Sequence, residues 1–426
     1  MNVPTGRIPR VPSSPRTPAP ALGAIRPGRL TDWLYASRAA RDETVNALVE
    51  RIRKEDASLQ AWRQVEAQPV TGDGPLAGIP FGVKEIIETN GLATEYGSSI
   101  YRGRVATTDA AIVRELRARG GRVIGTTRST AFAYFTPTTT RNPRNLAHTP
   151  GGSSSGSAAA VAAGMVPFAL GTQTAGSVLR PASFCGVVGF KPSFGLWSME
   201  GIFPFAPSLD TLGFFTATAG DMAALWPALG HHVPPVEVFP FAVVEPVTGL
   251  DPAMEVALAA AVERLRGAGL TVETIDLRAM QANLEAAVRT VMRYEGARVH
   301  EAHVRQFADQ MGALADLVRV GLELPIAAYD AARTTIGEWK GKLAAIFRAT
   351  PVILSPAATG PAPAGLGSTG DPRMNAPWTA LGMPAISIPL PVRDGLPLGL
   401  QLTADHGQEG RLLRAAVRVE EILNGN

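Results

Sequence analysis

The sequence predicts an α/β protein, on three observations. Short apolar runs of strand length alternate with amphipathic helical patterns along most of the chain. The length of 426 residues, with 46% hydrophobic and 18% charged residues, is enough to bury a large core. Between residues 150 and 192, glycine- and serine-rich turns are joined by small residues alone, a composition that lets backbone and hydroxyl groups crowd together.

Taken in order, residues 1–28 carry Pro4, Pro9, Pro12, Pro15, Pro18, Pro20 and Pro27. Proline donates no backbone hydrogen bond and breaks helix and sheet alike, so this stretch is expected to be a flexible Pro/Arg-rich tail ahead of a domain spanning residues 29–426. In residues 31–54, Leu34, Val45, Leu48, Val49 and Ile52 recur at helical spacing, giving one or two amphipathic helices. Ile79 to Val83 reads as a strand. A helix over 109–119 follows, with Ala111, Ile112 and Leu116 inward and Gly120-Gly121 ending it. Val123 to Gly125 is the next strand, residues 155–163 a helix of small residues, 166–170 a strand, a short helix follows Ser177, and 187–190 is a strand. Residues 220–349 turn mostly helical, a cap-like region, with strands at 241–244 and 270–274. Core strands return at 351–354 and 385–388.

Charge and composition exclude several function classes. The net charge is +3, and five arginines precede the first acidic residue, Asp32, leaving the remainder close to neutral. No nucleic-acid footprint is expected on that basis. The single cysteine, Cys185, allows no intramolecular disulfide and no zinc site of the usual spacing. The opening residues lack the apolar core of a secretory signal and no later run has spanning length, so a cytoplasmic protein without membrane association is expected.

Two strings invite nucleotide or esterase readings. Gly365-Leu-Gly-Ser-Thr-Gly370 matches G-x-G-x-x-G, but Pro372 and Pro377 stand where the dinucleotide motif needs a helix; a flexible loop at a site rim fits better. Gly152-Ser-Ser-Ser-Gly156 matches G-x-S-x-G, which would make Ser154 the nucleophile of an α/β-hydrolase-like esterase, with His300, His303 or His406 as base. The preceding residues, with Pro150, make a poor strand for that turn.

A reading with two serines explains more. The turn Thr174-Ala-Gly-Ser177 lets successive N–H groups converge on one point, as an oxyanion hole requires. Lys84 ends an apolar run, where it must reach solvent or lose its proton to desolvation, and a neutral lysine is a competent base. Three residues beyond Ser177, Arg180 falls on the same helical face and would suit a carboxylate or polar carbonyl. The aromatic residues Phe132, Tyr134, Phe135, Phe203, Phe205 and Trp378 are candidates for an apolar substrate pocket or simply for core.

Gly78 to Glu85, Asn142-Pro143, residues 149–164 and 171–192, and Leu209-Asp-Thr-Leu-Gly213 together resemble the amidase signature family of serine hydrolases. Residues 374–389 and 397–402 are similar to its closing strands. The resemblance implies a large mixed β-sheet flanked by helices on both faces. It also implies Lys84 as general base, Ser153 as bridging serine after a cis Gly152-Ser153 bond, Ser177 as nucleophile, and the backbone N–H groups of Thr174, Ala175, Gly176 and Ser177 as oxyanion hole. Gln173 stands where the family often has aspartate, Ala175 and Ser155 where it often has glycine. Some relatives with an arginine like Arg180 act on half-amides of short dicarboxylic acids. The function expected is therefore an amidohydrolase working through an acyl-serine, with esters, anilides or carbamates as further substrates, and no cofactor or metal. The partner expected is a small-molecule amide, with no nucleic acid and no membrane; a homodimer is compatible with the sequence. The alternative is a glutaminase-type subunit of a tRNA amidotransferase.

Overall fold

The computed structural model describes residues 25–134 and 136–425. Residues 1–24 of the expected tail lie outside them. From Ile25 onward the chain is anchored: Arg26 pairs with Asp32 at 2.7 Å and Trp33 Nε1 donates to the Pro27 carbonyl at 3.0 Å.

Eleven strands form one mixed sheet: β1 (Trp62–Val65), β2 (Pro80–Lys84), β3 (Arg122–Thr127), β4 (Phe168–Gln173), β5 (Val188–Lys191), β6 (Thr211–Thr216), β7 (Phe241–Val244), β8 (Val272–Ile275), β9 (Val352–Pro356), β10 (Ala385–Pro389) and β11 (Gly399–Ala404). Their order is β1-β3-β2-β4-β6-β5-β10-β11-β9-β7-β8, with helices flanking both faces. Strands β2, β4, β5, β6, β7, β9 and β11 are buried at every position. Such continuous burial is why their sequences read as apolar or small runs without alternation. The edge strand β8, by contrast, exposes Glu273 and Thr274.

The predicted elements lie within a few residues of those observed. The first helical stretch is two helices, Leu30–Tyr35 and Arg38–Leu59, the second capped by Ser37, whose side chain accepts the Ala40 N–H. The helix expected after Ser177 begins at Leu179. Two strands have no counterpart among the expected elements, β1 and β6. The stretch 220–349 contributes β7 and β8 to the sheet as well as the helices Pro252–Gly267, Arg278–Met311, Ala313–Leu322 and Ile326–Ala349.

The site is positioned by the centre of the sheet. Strands β2 and β4 pair in parallel, with Val83 opposite Leu170, so Lys84 and residues 171–173 emerge at the same edge. Crevices outside the carboxyl ends of parallel strands are where α/β proteins bind ligands. The helix Ser155–Ala162 lies against β2, β3, β4 and β6 and is almost wholly buried. Its small residues are required: a Cβ on Gly156 would overlap the Ala61 carbonyl oxygen and the Arg128 backbone. Among the described residues, no helix is long and apolar enough to cross a membrane, and no cluster of His, Cys, Asp or Glu is arranged to hold a metal.

Candidate active site

Lys84, the last residue of β2, is fully buried, and its Nζ lies 2.7 Å from Ser153 Oγ and 2.8 Å from Thr172 Oγ1. Burial draws the amine down to about 7, against the opposing influence of Asp210 and Glu85. Ser153 follows a cis Gly152-Ser153 peptide bond, as the resemblance implied. Its loop is held by Ser155 Oγ, which donates to the Gly151 carbonyl at 2.7 Å, and by Thr130 N, which donates to the Ser153 carbonyl at 3.2 Å.

Ser177 is 8% exposed and lines a chamber of about 20 Å³ together with Ser153, Thr174, Ala175, Gly176, Arg180 and Thr369. No hydrogen bond joins Ser153 to Ser177 in the resting chain; the two hydroxyls share the chamber wall. All four residues expected to form an oxyanion hole border this chamber. Gln173 organises their turn: its Oε1 accepts Val178 N at 2.8 Å and Leu179 N at 3.1 Å, while its Nε2 donates to Thr379 Oγ1 at 2.9 Å. Thr379 Oγ1 in turn donates to the Ala175 carbonyl at 2.8 Å. An aspartate could accept the two amides but could not donate to Thr379, so the amide of Gln173 suits this network.

Arg180 is also fully buried and has no ion pair among the described residues. Its Nε donates to the Thr369 carbonyl at 2.7 Å and its Nη2 to the Gly152 carbonyl at 2.6 Å, while Nη1 has no hydrogen-bond partner among the described residues. The guanidinium thus ties the 365–372 loop to the peptide before Ser153 and keeps one donor in reserve. That loop is the G-x-G-x-x-G string, and it borders the chamber through Thr369, as a rim loop would.

The aromatic candidates separate. Tyr134 lines the chamber and, with Met292 and Pro372, the adjoining vestibule of about 310 Å³. Phe205 stacks on Tyr134 from behind, with centroids 5.2 Å apart. Phe132 and Phe203 belong instead to an aromatic cluster with Tyr101, His300 and His303, and Trp378 is buried in the hydrophobic core. These three large apolar rings gain more from core packing than from an open wall. Phe135 lies outside the described residues.

Ser154 does not border the chamber. Its Oγ donates to the Thr172 carbonyl at 3.2 Å and accepts Thr172 N at 3.3 Å, which joins the start of the helix to β4. None of the three candidate histidines lines the chamber: His303 Nε2 lies 2.7 Å from the Tyr101 hydroxyl, His406 contacts the Phe194 carbonyl, and His300 is buried among aromatic rings. The esterase arrangement centred on Ser154 therefore has no geometric support. Sequence reasoning missed Thr172 as a partner of Lys84; its signal is the position two residues after Leu170 on β4, which places it on the Leu170 face beside the end of β2.

Comparisons with known proteins agree with this geometry. The family model for Amidase matches residues 30–235 and 240–413. A glutamyl-tRNA(Gln) amidotransferase subunit of Lysinibacillus sphaericus is 34% identical, over 92% of this chain and 92% of its own length. Among solved structures, one described as an amidase superposes with a TM-score of 0.83 at 26% identity, covering 93% of this chain and 100% of the other. The corresponding glutamyl-tRNA(Gln) amidotransferase subunit of Thermotoga maritima superposes with a TM-score of 0.78 at 27% identity, covering 92% and 94%.

These relatives correct one expectation. A small-molecule amide as the only partner, with no nucleic acid, is contradicted by whole-length similarity to proteins named as one subunit of a tRNA amidotransferase. The near-neutral charge that suggested it describes a single chain, and says nothing of contacts that other chains of an assembly make. The match across nearly the whole sequence and the shared fold lead to one assignment: this chain belongs to the amidase family.

Proposed function

We propose that the chain cleaves the C–N bond of a carboxylic amide through an acyl-serine on Ser177, with Lys84 as base and Ser153 as the bridge between them. The observation that carries this reading is the buried Lys84 amine, drawn to about 7, at 2.7 Å from Ser153 Oγ in a loop that shares a chamber with Ser177. A neutral amine has two hydrogens and one lone pair, so Lys84 can donate to Thr172 and accept the Ser153 proton. Ser153 then takes the Ser177 proton as Ser177 Oγ attacks the carbonyl carbon, the contact between the serines tightening as substrate enters. The N–H groups of residues 174–177 hold the oxygen that becomes negative. Collapse of the tetrahedral adduct breaks the C–N bond, and the relay returns the proton to the leaving nitrogen. Water attacks the acyl-serine by the same route, leaving a carboxylic acid and free Ser177. The same steps serve esters, anilides and carbamates.

The similarity to glutamyl-tRNA(Gln) amidotransferase chains favours one setting for this chemistry, a glutaminase-type subunit that works with partner chains. In that setting glutamine is the amide and ammonia the leaving group. Ammonia release from glutamine by the purified chain, and its rise on adding the other chains of an amidotransferase, tests this. Turnover of other amides with glutamine inert under both conditions would sink the glutaminase setting and leave the acyl-serine chemistry standing.

The unpartnered Nη1 of Arg180 at the chamber wall supports recognition of a carboxylate on the substrate. Arg180→Met should lower kcat/KM for amides carrying a carboxylate by about 10- to 100-fold more than for neutral amides of the same length, the worth of one charge-assisted hydrogen bond or two. Because Arg180 also holds Gly152 and Thr369, both substrate classes will slow; the ratio between them is the readout. An unchanged ratio would assign Arg180 to loop support alone.

A further inference from the structure

The stretch 209–213 is part of the resemblance to the amidase signature, yet none of its residues has a role in the relay described above. Its Asp210 is buried, 7% exposed, and has no ion pair among the described residues. Three donors converge on it. Thr174 Oγ1 donates to Oδ1 at 2.6 Å, and the backbone N–H groups of Phe205 and Ala206 donate to Oδ2 at 2.8 and 3.0 Å. A carboxylate so surrounded resists displacement, because removing it would strand three buried donors.

Thr174 opens the turn whose residues border the chamber. Further along, the turn is tethered at Ala175 by Thr379 and at Val178 and Leu179 by Gln173, all through neutral groups. Asp210 supplies a further tether, and one that carries a charge. The loop it gathers also carries Phe205, which backs the chamber residue Tyr134.

We propose that Asp210 is a positioning residue for the Ser177 chemistry: through Thr174 it fixes the first donor of the oxyanion turn. This rests on the acyl-serine reading above. The groups that bear on Lys84 are Asp210 and Glu85, both favouring the protonated amine, with the hydroxyls of Ser153 and Thr172 in contact. The acidic group facing Asp210 is Glu295. Removing the Asp210 charge therefore leaves burial less opposed at Lys84, and the amine becomes neutral at lower pH.

The test measures the rate at which phenylmethanesulfonyl fluoride modifies Ser177, read by mass spectrometry from mildly acid to alkaline pH, in the wild type and two variants. It needs no knowledge of the natural amide. Asp210→Asn keeps the shape and the three contacts, since an amide oxygen can accept both backbone donors while its nitrogen donates to Thr174. It should move the midpoint of the pH dependence to lower pH, which a merely structural role would not do. Thr174→Val, which leaves the carboxyl group in place, should slow labelling about tenfold, the loss of one hydrogen bond. Thr174→Val labelling at the wild-type rate would overturn the proposal even if Asp210→Asn fails to fold, and so would a midpoint that stays or rises in a folded Asp210→Asn. Absence of labelling at Ser177 in the wild type would instead overturn the acyl-serine reading itself.

Discussion

Ser177→Ala is expected to abolish turnover, by roughly 10⁴-fold or more, because it removes the hydroxyl that the proposed chemistry acylates. The chain should fold as before. Among the described residues the Ser177 hydroxyl has no hydrogen-bond partner, so its removal strands no buried group there, and alanine leaves no cavity larger than one oxygen. Amide or ester hydrolysis measured beside thermal unfolding checks both halves. Activity within tenfold of wild type in a folded variant would move the nucleophile elsewhere.

Lys84→Met should reduce kcat by about 10²- to 10⁴-fold, the usual worth of a positioned general base. Methionine matches the length of the buried stem and removes the amine from contact with Ser153 and Thr172. The pH dependence gives the sharper reading. Lys84 must be neutral to accept a proton, and burial lowers its pKa to about 7. Wild-type kcat/KM should therefore be high above pH 7 and fall about tenfold per unit below it. Glu85, pushed up to about 7 by burial, and Asp210, pushed up to about 6, titrate in the same range. The variant separates them: if Lys84 is the base, the residual rate of Lys84→Met loses the limb near neutrality, whereas a limb that persists would assign it to a carboxyl group.

Much of this site is legible because the chemistry is written in contiguous residues. The turn from Gly171 to Ser177, the loop from Gly151 to Ser157 and the strand ending in Lys84 each carry their proposed function locally, and parallel pairing of β2 with β4 brings Lys84 and the Gly171 turn to one edge. Continuous burial gives β4 and β9 away as apolar runs, and β10 through its first four positions. Strand β6 does not stand out, since Thr211-Leu-Gly-Phe-Phe-Thr216 has hydroxyls and a glycine among its apolar residues, and β1 is a short edge with one buried position in four. Contacts between distant segments are the least accessible. The bonds from Gln173 to Thr379, from Arg180 to Thr369 and from Lys84 to Thr172 join residues 88 to 206 positions apart, and no local pattern records them. Trp378 resists a sequence reading for a related reason: an aromatic side chain after a proline reads alike whether it faces a pocket or the core, and here it faces the core.

The most direct test of the account is to acylate the protein with an activated ester, quench in acid and map the acyl group by peptide mass spectrometry. The account predicts a single acyl group on Ser177, formed rapidly at neutral pH and slowed in Lys84→Met. An acyl group on Ser154, or turnover with no acyl-serine at any time point, would contradict it.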